Sequence, residues 1–90
     1  MIVKEIKYSR KFQKEFRKLP NKIIQIAIKK EQIFIENPLH PSLRLHELHE
    51  KLMEVWSLSL TGSYRIIFKR MENGDILFIS VGTHDIYKYL

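Results

Sequence analysis

Near its end the chain reads Gly82-Thr83-His84-Asp85-Ile86-Tyr87, so a histidine, a carboxylate and a phenol fall within four residues. His84 can give or take a proton near neutral pH. Upstream, Arg65 offers a planar, permanently charged fork suited to a phosphate. His46 and His49, three apart, stand ahead of a strand-like stretch and are candidates for a second acid–base group. Tyr87 can stack on a base or donate through its hydroxyl. Each residue also has a plainer role. His84 can cap a strand end, Arg65 can pair with a surface acid, and Asp85 can orient a histidine or sit in an exposed turn.

Other chemistries find less support. His46 and His49 have no further ligand at a familiar zinc spacing. There is no cysteine, hence no thiolate nucleophile and no disulfide framework. No glycine-rich phosphate loop or nucleophile elbow is present. No metal or cofactor is therefore expected. One reaction suits the remaining set. In RNA the 2′-OH can attack the adjacent phosphodiester. The protein must then take a proton, steady the added negative charge and protonate the leaving 5′-oxygen.

The elements that must position these residues follow from the pattern. "IVKEIKY" (2–8) reads as a first strand. Ser9 suits an N-cap for "RKFQKEFRKL", with Phe12, Phe16 and Leu19 on one side. Pro20 ends that helix, and Asn21 can cap a second over 22–36. The apolar arc of this second helix spans about 220°, wider than one packing surface needs. It suits a helix wedged between sheet and first helix, with a surface to spare for a protein partner. "ENPLHPSL" is a loop, and 44–55 reads either as a turn of helix or as an irregular approach to a strand. Strands are expected at 55–60, 64–71 and 75–81. The fold class is α+β: an N-terminal strand, then two helices packed on one face of a small antiparallel sheet that ends in a three-strand meander, all in one domain over 1–90.

Turn chemistry predicts registers. A three-residue Thr61-Gly62-Ser63 loop sets Leu60 against Tyr64, Leu58 against Ile66, Trp56 against Phe68 and Ser59 against Arg65. A two-residue Asn73-Gly74 turn sets Arg70 against Leu77, Phe68 against Ile79 and Ile66 against Val81. Leu77, Ile79 and Val81 then join the core face. Ser57, Ser59, Arg65, Ile67, Lys69, Phe78, Ser80 and His84 collect on the other, an open face suited to a polar substrate.

Composition bounds the partners. Hydrophobic residues make up 44% and charged residues 29% of the 90, a globular balance. Net charge is +6, and residues 1–30 hold ten Lys/Arg against Glu5 and Glu15. Such a local excess either attracts polyanions, nucleic acid above all, or simply keeps a helix face solvated. No apolar run is long enough to cross a bilayer and no signal-peptide stretch opens the chain, so a cytoplasmic protein is expected.

Four stretches carry a family likeness: "YSRKFQKEFRKL", "HPSLRLHELHEKL", "WSLSLTGSYRIIFKR" and "ISVGTHDIYKYL". Together they resemble the RelE/ParE superfamily of toxins from bacterial toxin–antitoxin systems, and cover nearly the whole chain. The Gly82-Thr83-His84 ending is most similar to the YafQ branch; Tyr64-Arg65-Ile66-Ile67-Phe68 is similar to the wider RelE group. The resemblance implies a ribosome-dependent mRNA endonuclease, silenced by a cognate antitoxin and meeting ribosome, mRNA and rRNA, with no DNA expected for the toxin alone and no membrane. It implies catalytic roles for His84, Arg65, His46 and Tyr87, and RNA contacts for Lys11, Lys14, Arg17, Lys18 and Lys22; Ser59, His49 and Asp85, read from the residues alone, are candidate substrate contacts. Tyr87 follows His84 by three residues where the YafQ spacing is four. Ser57 and Ser59 replace RelE lysines, Ser59 also replaces a YafQ histidine, and Ser63 replaces a YafQ aspartate. Two other readings stay open: a ParE-like inhibitor of DNA gyrase, and a toxin fold that binds antitoxin without catalysis.

Overall fold

A computed structural model describes residues 2–48, 54–83 and 85–86. The elements run β1 (Ile6–Tyr8), α1 (Arg10–Arg17), α2 (Asn21–Glu36), a short 3-10 turn (Pro41–Leu43), β2 (His46–Glu47), β3 (Val55–Ser59), β4 (Tyr64–Arg70) and β5 (Ile76–Thr83). The five strands form one sheet in the order β1-β5-β4-β3-β2. β3, β4 and β5 make the expected meander, while β1 joins β5 in parallel. The ambiguous stretch before the meander contains β2, which pairs antiparallel with β3.

Local chemistry explains most boundaries. The Ser9 side chain accepts from the Phe12 N–H at 3.0 Å and starts α1 as expected. α2 begins one residue earlier than its sequence suggests. Asn21 lies inside the helix, and the Pro20 carbonyl accepts from Ile23 and Ile24 instead of a side-chain cap. Proline presets the backbone at this entry and lacks the N–H that would otherwise need a partner.

Both helices pack on one face of the sheet. Phe12, Ala27, Phe34, Leu43, Leu58, Leu60, Ile66, Phe68, Ile76, Phe78 and Val81 form the buried cluster, with Phe16, Leu19, Ile23, Ile26, Ile33, Trp56 and Tyr64 against it. Phe34 lies 5.0 Å from Phe68 and 6.2 Å from Phe78 between ring centroids, so α2 is tied to the sheet through aromatic contacts. Trp56 stacks on Phe68, as the first hairpin register requires. On α2, Ile28 and Ile35 stay exposed at 58% and 46%, the surplus of its wide apolar arc.

The first hairpin has the expected register throughout: Leu58 opposite Ile66, Trp56 opposite Phe68, Ser59 opposite Arg65. Thr61 closes its loop, accepting from the Ser63 and Tyr64 N–H groups through Oγ1.

The second hairpin corrects the sequence reading. Its loop has three residues, Glu72-Asn73-Gly74: Met71 N donates to Asp75 O at 2.8 Å and Gly74 N donates to Met71 O at 3.0 Å. Gly74 takes φ +94°, the left-handed residue that closes this type of loop. Asn73 Oδ1 accepts from the Asp75 N–H and stabilises it. Arg70 therefore pairs with Ile76 and Phe68 with Phe78, not with Leu77 and Ile79. A bulge between Ile67 and Phe68 then shifts the register by one, so Ile66 meets Val81 as expected. In consequence Phe78 lies in the helix-side core, and Ile76 and Phe78 fill the core places expected for Leu77 and Ile79.

Candidate functional site

The second face of the sheet carries the candidate residues, and register places them. His46 on β2 is the partner of Ser57 on β3, and Ser57 is the partner of Ile67 on β4. One step along, Ser59, Arg65 and Gly82 form a second cross-strand row. Strand spacing and rise put the Cα atoms of His46 and Arg65 about 12 Å apart. Two long side chains can meet one phosphate across that span.

This face is less open than the sequence suggests. Ser57, Ser59 and Ser80 are all buried. Ser59 Oγ donates to the Thr61 carbonyl at 2.9 Å, serving the loop rather than a ligand. Ser80 Oγ donates to Glu15 on α1 at 2.7 Å. Part of the face is apolar: Val55, Ile67 and Ile86 form a second buried cluster, with Leu48 against it. Ile86 packs over Gly82, where an added Cβ would lie 2.7 Å from its Cγ2. The glycine thus makes room for the chain to fold back across the strand that precedes it.

Against this background Arg65 stands out. It is half-buried, and no hydrogen bond or ion pair joins its guanidinium to another described side chain. Arg70, by contrast, pairs with Glu54 at 2.9 Å. The plainer role for Arg65, a pair with a surface acid, thus has no support among the described residues. A fixed cation beside short side chains and a glycine is suited to an oxyanion from outside.

The remaining candidates divide. His46 is exposed at the β2 edge, and Asp85 is exposed beyond β5. His84, Tyr87 and His49 lie outside the described residues. Lys11, Lys14, Arg17, Lys18 and Lys22 are all exposed on or near the two helices. Among the described residues no group of His, Cys, Asp or Glu is arranged to hold a metal, and no helix is long and apolar enough to cross a membrane.

Sequence reasoning missed Glu15. Its carboxylate accepts from Ser80 Oγ and from the Val81 N–H, while Lys11 Nζ approaches both Glu15 and Ser80. The available signal was its isolation as the sole acid of α1. Also unforeseen is a cleft of about 350 Å³ between the helices, lined by Phe12, Phe16, Ala27 and Ile28. Tyr8 donates to Glu31 at its edge. Partial burial, then this bond and the Glu31 charge, push the Tyr8 hydroxyl up to about 12.

Two helices packed on one face of a five-strand mixed sheet define the RelE-like toxin fold. Solved structures bear out the class. The chain matches YafQ in the Escherichia coli DinJ–YafQ toxin–antitoxin complex with TM-score 0.77 and 18% identity, over 94% of this chain and 97% of that one. It matches the Methanococcus jannaschii RelB–RelE complex with TM-score 0.73 and 20% identity, over 93% and 98%. It matches the intact Escherichia coli RelBE complex with TM-score 0.69 and 22% identity, over 88% and 94%. No curated protein matches. The family described as the ParE toxin of the type II toxin–antitoxin system parDE matches residues 6–86. The chain belongs to that family and is a toxin of the type II toxin–antitoxin class.

Proposed function

We propose that this toxin is a ribosome-dependent endonuclease that cleaves mRNA by attack of a 2′-OH on the adjacent phosphodiester. The half-buried guanidinium of Arg65, free of described partners, carries the reading. It binds the non-bridging oxygens and steadies the charge that grows on them. A base takes the 2′-OH proton as the 2′-oxygen bonds to phosphorus. The phosphorus–5′-oxygen bond breaks, and an acid protonates the leaving 5′-oxygen. The products are a 2′,3′-cyclic phosphate and a 5′-hydroxyl. His84 and His46 supply the two proton-transfer groups, and Tyr87 stacks on a base or donates through its hydroxyl. His49 and Asp85 border the substrate, while Ser59, committed to the Thr61 carbonyl, only keeps the row beside Arg65 small. Lys11, Lys14, Arg17, Lys18 and Lys22 give the salt-dependent grip on ribosomal RNA expected of a basic surface.

A cognate antitoxin is the second partner. The DinJ–YafQ and RelB–RelE structures are toxin–antitoxin complexes, and exposed Ile28 and Ile35, on a chain of net charge +6, suit an acidic, amphipathic segment. Both activities place the protein in the cytoplasm.

Induction followed by mapping of mRNA 5′ ends tests the reading. Cuts within translated codons, abolished by Arg65→Ala and His84→Ala, are the expected result. Full toxicity of both variants at equal expression would sink the proposed site. The ParE description of the matching family favours one alternative, inhibition of DNA gyrase. That alternative predicts DNA damage signalling, loss of supercoiling activity in a purified gyrase assay, and uncut mRNA.

A further inference from the structure

We infer that Glu15 is a positioning residue, a carboxylate clamp from α1 that holds the bulged register of β5 and so keeps Gly82, not Val81, opposite Arg65. β1 runs beside β5 only at Ile76–Phe78. Ser9 extends the contact by one step, with its N–H on the Phe78 carbonyl and its Oγ on the Ile79 carbonyl. Beyond that point α1 replaces the strand. Glu15 Oε1 accepts from Ser80 Oγ at 2.7 Å and from the Val81 N–H at 3.2 Å. Those are the two residues that follow the bulge. A backbone N–H facing a helix would otherwise lack a partner. A carboxylate acceptor makes this bond one of the stronger kind.

The register it holds matters to the site. Near the turn, Arg70 pairs with Ile76 and Phe68 with Phe78. Carried on without the bulge, that register would set Val81 opposite Arg65 and move Ser80 into the helix-side core. A one-residue slip exchanges the two faces of a strand. Val81 would then project where Gly82 now leaves room for Ile86, although even one added carbon there lies 2.7 Å from the Ile86 side chain. The clamp therefore keeps a small residue under Ile86 and a clear approach to Arg65. It also ties the helix bearing Lys11, Lys14 and Arg17 to the strand end that leads to the site.

The effect of the clamp on cleavage rests on the functional reading above; its effect on register does not. The test uses the full chain, wild type against Glu15→Ala and Glu15→Gln, read by amide exchange at Val81 and by the cross-strand Arg65–Gly82 contact in NMR spectra. Glu15→Ala is expected to speed Val81 exchange by about tenfold or more and to weaken the Arg65–Gly82 contact. Glu15→Gln keeps an acceptor oxygen and is expected to restore both. In single-turnover cleavage on ribosomes, Glu15→Ala should slow the chemical step on the order of a hundredfold. Ribosome affinity should change by less than about threefold. An unaltered contact and rate in Glu15→Ala overturns the proposal, as does a Glu15→Gln variant as defective as Glu15→Ala. If the wild type cuts no RNA, the nuclease reading fails while Val81 exchange and the Arg65–Gly82 contact still decide the clamp. Should Glu15→Ala not fold, Ser80→Ala removes one of the two bonds, and unchanged Val81 exchange in it counts against the clamp.

Discussion

The two faces of the sheet are built to different ends. The helix side is a continuous aromatic and aliphatic core in which Phe12, Phe34, Phe68 and Phe78 touch one another. The other side holds a small apolar cluster, buried serines, a glycine overlaid by Ile86, and a half-buried arginine. Packing energy is concentrated on the first face. The second gives up side-chain volume at Ser57, Ser59 and Gly82, the setting in which the proposed role of Arg65 would be played. A small domain can carry a site of this kind because its stability comes from the opposite face.

Substitutions on either face test this division, and the largest effect belongs to the helix side. Phe34→Ala empties the centre of the aromatic cluster and should cost about 3–5 kcal/mol of unfolding free energy, measured by urea titration. Loss of less than 1 kcal/mol would remove α2 from the role assigned to it. Arg65→Ala should show the reverse pattern. Its midpoint in urea should stay close to wild type, while cleavage falls by about 10²–10³-fold. A stability loss as large as that of Phe34→Ala would make Arg65 a structural residue and erase the contrast.

Smaller effects refine the second face. Gly82→Ala places a carbon against Ile86 and should cost about 1–3 kcal/mol. Because the two residues touch, Gly82→Ala combined with Ile86→Ala should cost less than the sum of the separate changes. Strict additivity would show that Ile86 does not lie over the glycine in solution. The smallest effect is at the rim of the helix cleft. The Tyr8 hydroxyl is raised from 10.0 to about 12 by partial burial and by Glu31. A raised folded value means that the proton is held more tightly in the folded state. The resulting stability is complete below pH 10 and is lost as pH rises toward 12. Tyr8→Phe should flatten that part of the stability profile relative to wild type. Identical profiles would remove Tyr8 from the alkaline response.

Much of this was legible beforehand. Ser9, the Phe12–Phe16–Leu19 spacing and the Thr61-Gly62-Ser63 loop act over a few residues, so the first helix and first hairpin could be read directly. The second hairpin could not. Asn73-Gly74 is compatible with two loop lengths, and the choice between them depends on what packs beyond the turn. Placing Phe78 rather than Ile79 in the core fits an aromatic against Phe34 and Phe68. The bulge then recovers the pairing of Ile66 with Val81.

By itself, the sequence determined the α+β class, the succession of first strand, two helices and three-strand meander, the basic helix, and the position of Arg65 opposite Ser59. These depend on periodicity, caps and a short loop, all local properties of the chain. Only the tertiary structure decided that β1 runs parallel to β5, that the serines are buried, and that Glu15 bonds to a strand edge 65 residues away in the chain. An unpaired strand edge and the acid that satisfies it belong to different parts of the sequence. Their relation exists only once α1 has been brought against β5.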